Sequence, residues 1–359
     1  MLHENNQNRC DRRFKKASVT AQITTIIPTY KRPEKLRKAI QSVLEQTYPH
    51  FQVWIYDNAS GDSTASIVEE FAKKDPRVKY HCHPKNIGAA ENFQYGLSHV
   101  KTPFFSFLSD DDYLLPEFYE TAMRGLERFP DAALLAAAVI DVNESQEMID
   151  VVLSRWPDQE YFSPQDGLIE VIKNYSNWVG VLFRQEVVAK VGTLDLNLKA
   201  IDLDYILRIA ARFPLIISKK LSAVFVRHSL SYSGNNIFKL IWPGWPIMIA
   251  KLEKNKELPC KVRLEAERLL TRQLRNLLLI NVIRALGKKR FEEAQASLRL
   301  LSGPKIILLF LAVIITICKT VPAAQKLLVL FLQMRLVWIR RVQKAHLNQE
   351  CIKALNVLA

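Results

Sequence analysis

The residues best suited to chemistry are three consecutive carboxylates, Asp110, Asp111 and Asp112, at the end of the apolar run Phe104-Phe105-Ser106-Phe107-Leu108. Adjacent like charges repel, so such a triplet persists where a cation sits among them or where water bathes them freely. A strand this apolar is expected to be buried on both faces, and its carboxyl end is then a ligand position in an open α/β sheet. Carboxylate oxygens suit hard divalent cations such as Mg²⁺ or Mn²⁺, which leave their remaining positions to substrate phosphates. The same residues also read as a solvated acidic turn before a helix starting near Pro116, and this stretch alone leaves both readings open. Two further acidic positions stand at element ends: Asp57, closing a second apolar run, and Asp202 with Asp204, at the start of an apolar helical pattern.

The elements that must carry these groups follow from periodicity. Ile23 to Ile27 reads as a β-branched strand ended by Pro28-Thr29-Tyr30, and Pro33 opens a helix with Leu36, Ala39, Ile40 and Val43 on one face. Phe51 to Tyr56 is a second strand, ended by the turn-rich Asp57-Asn58-Ala59-Ser60-Gly61-Asp62-Ser63. Val78 to Cys82 is a third, followed by Asn86-Ile87-Gly88 and a helix from about Ala89 to Val100. The triple-Asp strand comes fourth. Alternation of this kind predicts an α/β fold with a mostly parallel sheet and functional groups along one edge. No GxGxxG or GxxxxGK[ST] is present, so a bound nucleotide would need its phosphates neutralised by a carboxylate-held metal rather than by a glycine-rich loop.

Charge divides the chain. Of 359 residues with formal net charge +14, residues 1–235 carry 28 Lys and Arg against 29 Asp and Glu, whereas residues 236–359 carry 22 against 7. The expected organisation is a disordered basic arm over 1–21, an α/β domain over 22–235 and a basic, apolar helical region over 236–359. The five cysteines have no metal-like spacing and fit reduced thiols in a cytosolic setting. The first residues lack the apolar segment of a secretory signal. In the last third, Ile306–Cys318 is an apolar run of 13 residues, about 20 Å as a helix and short of the roughly 30 Å hydrocarbon core. Interfacial attachment to an anionic bilayer is preferred there over nucleic-acid binding, because long apolar runs separate the charges. The aromatic segment Ile241 to Ile247 reads as a headgroup-boundary element or as a rigid elbow.

Six blocks, in order, resemble the family 2 glycosyltransferases of GT-A fold: Ile26-Ile27-Pro28-Thr29-Tyr30-Lys31-Arg32-Pro33, Asp57 to Thr64, Asn86-Ile87-Gly88 with Asn92, Phe107 to Asp112, Gly180 through Asp195 to Asp202-Leu203-Asp204 and Arg208, and Arg227-His228-Ser229-Leu230-Ser231. The resemblance covers roughly residues 22–235. It implies that Pro28, Thr29, Tyr30, Asp57, Asn86, Gly88 and Asp110 bind the donor nucleotide. Asp57 would accept from the base, and Thr29 and Tyr30 would turn beneath it. Asp110 and Asp111 would hold the ribose and a Mg²⁺ or Mn²⁺ ion bridging the diphosphate, with Asp112 and His228 as further metal contacts. Asp202 would deprotonate the acceptor hydroxyl, giving inversion at the anomeric carbon. The sequence departs from the family pattern at Ser109, at Ile201 in place of Glu, and at Glu91 beside the Asn.

The expected activity is therefore transfer of a sugar from a nucleotide-diphosphate donor to a hydroxyl of a surface glycan on a lipid carrier, at the inner face of the cell membrane. A sugar-1-phosphate nucleotidyltransferase would use similar metal–diphosphate chemistry but would want glycine in the loop after the first strand. A non-catalytic glycan-assembly subunit is the third reading, and Ile201 its only support. Trp178 is expected in the core rather than against a sugar.

Overall fold

The structure is a computed structural model that describes residues 22–152, 156–174, 177–228 and 243–301. The chain forms two compact units, Met1–His228 and Ser229–Ala359. The basic arm, the apolar runs from Ile306 onward and Ser229 to Trp242 lie outside the described residues.

The first unit is built on one ten-stranded sheet in the order β3-β2-β1-β4-β9-β6-β10-β5. β1 (Ile23–Thr29), β2 (Phe51–Asp57), β3 (Val78–Cys82) and β4 (Phe104–Phe107) run parallel. Every residue of β1 and β4 is buried, as continuous apolar runs in a covered parallel sheet should be. The two buried threonines of β1 are satisfied internally: Thr24 Oγ1 lies 2.6 Å from Thr102 Oγ1, and Thr25 Oγ1 pairs with Ser106 and with the Tyr119 hydroxyl. Helices α1 (Pro33–Leu44), α2 (Thr64–Lys74) and α3 (Ala89–Ser98) are the crossovers between these strands.

Beyond β4 the direction changes. β9 (Val181–Arg184) is inserted antiparallel between β4 and β6 (Leu134–Asn143), and β10 (Leu215–Arg227) runs parallel to β6 with bulges after Ser218 and Leu221. β5 (Tyr113–Leu114), β7 (Met148–Val152) and β8 (Tyr161–Phe162) add short antiparallel edges. Two reversals through β9 restore the original sense, so β6 and β10 point the same way as β1 and β4. The carboxyl ends of β1, β2, β4 and β10 therefore share one edge. α4 (Phe118–Arg128), α5 (Pro164–Lys173), α6 (Val187–Val191) and α7 (Ile201–Ala210) complete the unit. Trp178 is core: its ring lies 4.4 Å from Phe107 and 4.7 Å from Phe93, centroid to centroid.

In the second unit, α8 (Gly244–Glu253) packs on α9 (Cys260–Gly287), which folds back on α10 (Phe291–Leu300). Leu278, Val282, Ala285 and Leu286 of α9 meet Ala294 and Leu298 of α10 in a small core. Trp245 is buried at the start of α8 rather than presented to a headgroup boundary. Among the described residues no helix is long and apolar enough to cross a membrane.

Candidate active site

The tips of β1, β4 and β10 bring one cluster together. At the end of β1, Thr29 Oγ1 donates to Asp110 Oδ2 at 2.8 Å, and the Tyr30 amide approaches the same oxygen at 3.4 Å. Lys31 turns the chain with φ 54°, its amide held by Ser60 Oγ at 2.9 Å. The turn delivers Arg32, whose Nη1 donates to Asp110 Oδ1 at 3.0 Å and to Asp111 Oδ2 at 2.8 Å. From the end of β10, His228 Nε2 lies 2.6 Å from the same Asp111 oxygen. Two cationic or imidazole groups thus converge on one carboxylate edge, as an acidic triplet in a buried loop requires.

The three carboxylates are not equivalent. Burial, then the charge of Asp111, push Asp110 up to about 6, against the pull of Arg32 and Thr29. Asp112 is deeper: Oδ1 accepts from the Val226 amide at 2.9 Å, while Oδ2 is buried and accepts no hydrogen bond among the described residues. Burial, with Asp111 beside it, holds the Asp112 carboxyl well above its ordinary range.

Asp57 ends β2 on the same edge and is 2% exposed. Its Oδ1 accepts from the Ser60 amide at 2.9 Å and its Oδ2 from the Tyr80 hydroxyl at 2.6 Å. The Asn58 amide donates to the Thr29 carbonyl at 2.9 Å, tying this tip to that of β1. Asn86 acts on the loop itself, its Oδ1 accepting from Asn58 Nδ2 at 3.0 Å and from the Gly88 amide at 2.9 Å. Gly88 has φ 100°, a left-handed backbone that favours glycine, where the chain turns into α3.

Asp202 and Asp204 occupy the first turn of α7 but differ in surroundings. Asp204 is 2% exposed and accepts from Arg208 Nε at 2.8 Å, while Arg208 also caps the Val191 and Thr193 carbonyls. It is a structural anchor. Asp202 is half-buried. α7 ends at Ala210 and β10 begins at Leu215, so a four-residue connection joins them. Tyr205, one turn on, packs against Phe183 of β9 at 5.9 Å.

A hard divalent cation fits the donor set at Asp111. Asp111 Oδ2 and His228 Nε2 offer an oxygen and an imidazole nitrogen side by side. Among the described residues no group of three His, Cys, Asp or Glu side chains converges as a complete cage. A partial protein shell is what Mg²⁺ or Mn²⁺ takes when substrate phosphates supply other ligands.

Tyr80 and Arg32 are the contacts the sequence did not give roles to. The signal for Arg32 lay in its place in the first block, three residues past the end of β1, a strand beside that of the acidic triplet; for Tyr80 there was none beyond strand alternation.

Residues 24–192 match the family model described as Glycosyl transferase family 2. Over these residues the chain is similar to that family, and the sheet order with the acidic tip of β4 agrees with it. Among curated proteins it is similar to the GalNAc(5)-diNAcBac-PP-undecaprenol beta-1,3-glucosyltransferase of Campylobacter jejuni, 34% identical over 104 residues that make up 29% of this chain and 34% of that protein. Glycosyltransferase GlyA of Streptococcus pneumoniae is 27% identical over 130 residues, 36% of this chain and 18% of the relative. The chain thus matches 34% of the length of the first relative and 18% of the second. Among solved structures, S. aureus TarS 1-349 in complex with UDP-GlcNAc superposes with TM-score 0.57 at 17% identity, covering 77% of this chain and 79% of that one. The Pyrobaculum calidifontis mannosyltransferase PcManGT, in complex with GDP-Man and Mn2+, gives 0.51 at 19% identity, covering 89% and 90%. At such identities the superpositions establish the fold.

Proposed function

We propose that the protein is an inverting glycosyltransferase that moves a sugar from a nucleoside-diphosphate donor to a hydroxyl, with Mg²⁺ or Mn²⁺ at Asp111. The observation that carries this reading is the joining of the β1 and β4 tips through Thr29, Arg32, Asp110 and Asp111, on the edge that also bears Asp57. The complexes of TarS with UDP-GlcNAc and of PcManGT with GDP-Man support a nucleotide sugar as the ligand of this edge.

Each residue then has a part. Asp57, fixed by Ser60 and Tyr80, presents a carboxylate to the nucleobase beside Thr29 and Tyr30. Asp110, held by Thr29, faces the ribose. Asp111 and His228 would hold the cation, with the buried Asp112 beneath them; when bound, the ion supplies charge neutralisation for the departing diphosphate. Asp202, on the acceptor side, takes the proton from the incoming hydroxyl. One base opposite the leaving group gives displacement with inversion.

The second unit supports attachment at an anionic membrane. Residues 260–301 carry ten Lys and Arg against four Glu, and Leu264, Ile280 and Ile283 of α9 are exposed among those charges. A lipid-linked glycan is the acceptor such attachment would serve, and the undecaprenol in the Campylobacter relative's name agrees with it.

Diphosphate release from a panel of nucleotide sugars, with and without Mn²⁺, is the test. Release from one donor that needs acceptor and metal is expected. Release only from a sugar-1-phosphate with a nucleoside triphosphate would replace the proposal by a nucleotidyltransferase, and no release from any donor would favour a non-catalytic subunit.

A further inference from the structure

The most unusual feature of the acidic tip is the cation already there. Arg32 Nη1 reaches both Asp110 Oδ1 and Asp111 Oδ2, at 3.0 and 2.8 Å. The second of these is the oxygen that faces His228 and that the proposed function assigns to a divalent ion. The Arg32 side chain is 31% exposed, whereas those of Asp110 and Asp111 are 6% and 9% exposed. Of these three side chains, that of Arg32 is the most open to solvent.

We infer that Arg32 is an internal counter-cation that competes with the divalent ion for Asp111, so that the ion enters with the nucleoside diphosphate rather than ahead of it. This rests on the metal-dependent reading above and deepens it. The chain needs a positive charge here at all times, because Asp110, Asp111 and Asp112 are consecutive and largely out of water. A metal ion arriving alone must displace a guanidinium that is hydrogen-bonded to two carboxylates, and gains no new anion in return. An ion arriving with a diphosphate brings the partner that a guanidinium prefers, since its planar fork matches phosphate oxygens. Arg32 is well placed for that exchange. It precedes the proline that opens α1 and follows the left-handed Lys31, so its backbone is fixed while its long side chain can turn. Coupling of this kind is reciprocal: whatever factor the diphosphate contributes to metal affinity, the metal returns to diphosphate affinity.

The test measures Mn²⁺ binding by electron paramagnetic resonance on the full chain, with no nucleotide present, for the wild type, Arg32→Gln and Arg32→Lys. Arg32→Gln is expected to bind Mn²⁺ about tenfold more tightly than the wild type, within the ordinary range of linkage between two ligands. Arg32→Lys, which keeps the charge but contacts one carboxylate at a time, is expected to fall between them. Thermal melts establish that each variant is folded; should Arg32→Gln fail to fold, the Lys variant carries the comparison. Mn²⁺ affinity that is unchanged or weaker in the variants overturns the inference and leaves the transferase assignment standing. No Mn²⁺ uptake by any of the proteins, Arg32→Gln included, overturns the inference, and donor turnover that persists in excess chelator overturns metal dependence as well. Failure of donor turnover as well would remove the proposed function itself.

Discussion

The Tyr80 hydroxyl donates to Asp57 Oδ2 at 2.6 Å, from the strand beside it in the sheet. Burial and this hydrogen bond hold the phenol far above its ordinary range, so it stays a neutral donor. With the Ser60 amide on the other oxygen, the carboxylate is oriented before any ligand arrives. Removing the hydroxyl leaves Asp57 Oδ2 with the Cys82 thiol at 3.8 Å. Tyr80→Phe is expected to weaken donor affinity by about 5- to 10-fold, with kcat nearly unchanged, and to cost about 1–2 kcal/mol of stability. Donor titration alongside chemical denaturation checks this; equal donor KM in the two proteins would remove Asp57 from the nucleotide site.

Asp202 and Asp204 sit two residues apart and should separate cleanly. Asp202→Asn is expected to lower kcat by about 10²- to 10⁴-fold, as loss of a general base does, with the melting temperature little changed. Asp204→Ala leaves Arg208 without its buried carboxylate and is expected to cost about 3 kcal/mol of stability, while the folded fraction keeps its turnover. The opposite assignment of effects would move the base to Asp204.

Asp141 supplies a second pH dependence, close enough to Asp112 for its charge to help raise that carboxyl. Its Oδ2 accepts from Arg227 Nε at 2.7 Å, and its Oδ1 is buried with no hydrogen bond among the described residues. Burial raises its carboxyl above the ordinary value, outweighing the Arg227 guanidinium that pulls it down. A carboxyl raised in the folded chain holds its proton more tightly there than in the unfolded chain. The stability it contributes is therefore fully present below the unfolded value near about 3.9, and is lost as pH rises through the folded value. Asp141→Asn lacks that loss, so its stability relative to the wild type should improve between pH 4 and pH 7. Urea midpoints at the two pH values measure the difference; a gap that stays constant contradicts the raised carboxyl.

For the second unit, the exposed row Arg268, Arg272 and Arg275 on α9 is the sensitive place. Flotation of the full chain with anionic liposomes is expected, and changing these three residues to Gln should weaken it by about an order of magnitude, at ~1 kcal/mol per basic residue near the surface, when allowance is made for partial contact. Equal flotation by the two proteins, or none by the wild type, counts against membrane attachment through this helix.

Much of the site was legible because it is local. The apolar runs of β1, β2 and β4 end abruptly in Thr29, Asp57 and Asp110, and period and turn chemistry fix those ends within a few residues of sequence. Parallel strands with short crossovers then oblige the ends to share an edge. What no local pattern encodes is which side chain meets which across the sheet. Asp111 finds Arg32 and His228 at separations of 79 and 117 residues, and β9 reaches its place between β4 and β6 by reversing direction. Asp202 and Asp204 look alike in sequence; only the arrival of Arg208 beside one of them, with the Val191 and Thr193 carbonyls to hold it, decides that Asp204 is an anchor. The sequence by itself determined the carboxylates and the edge they occupy, since periodicity is a property of neighbouring residues. The tertiary structure decided their partners and burial, and with them their charge states, because those depend on contacts that close only when distant strands pair.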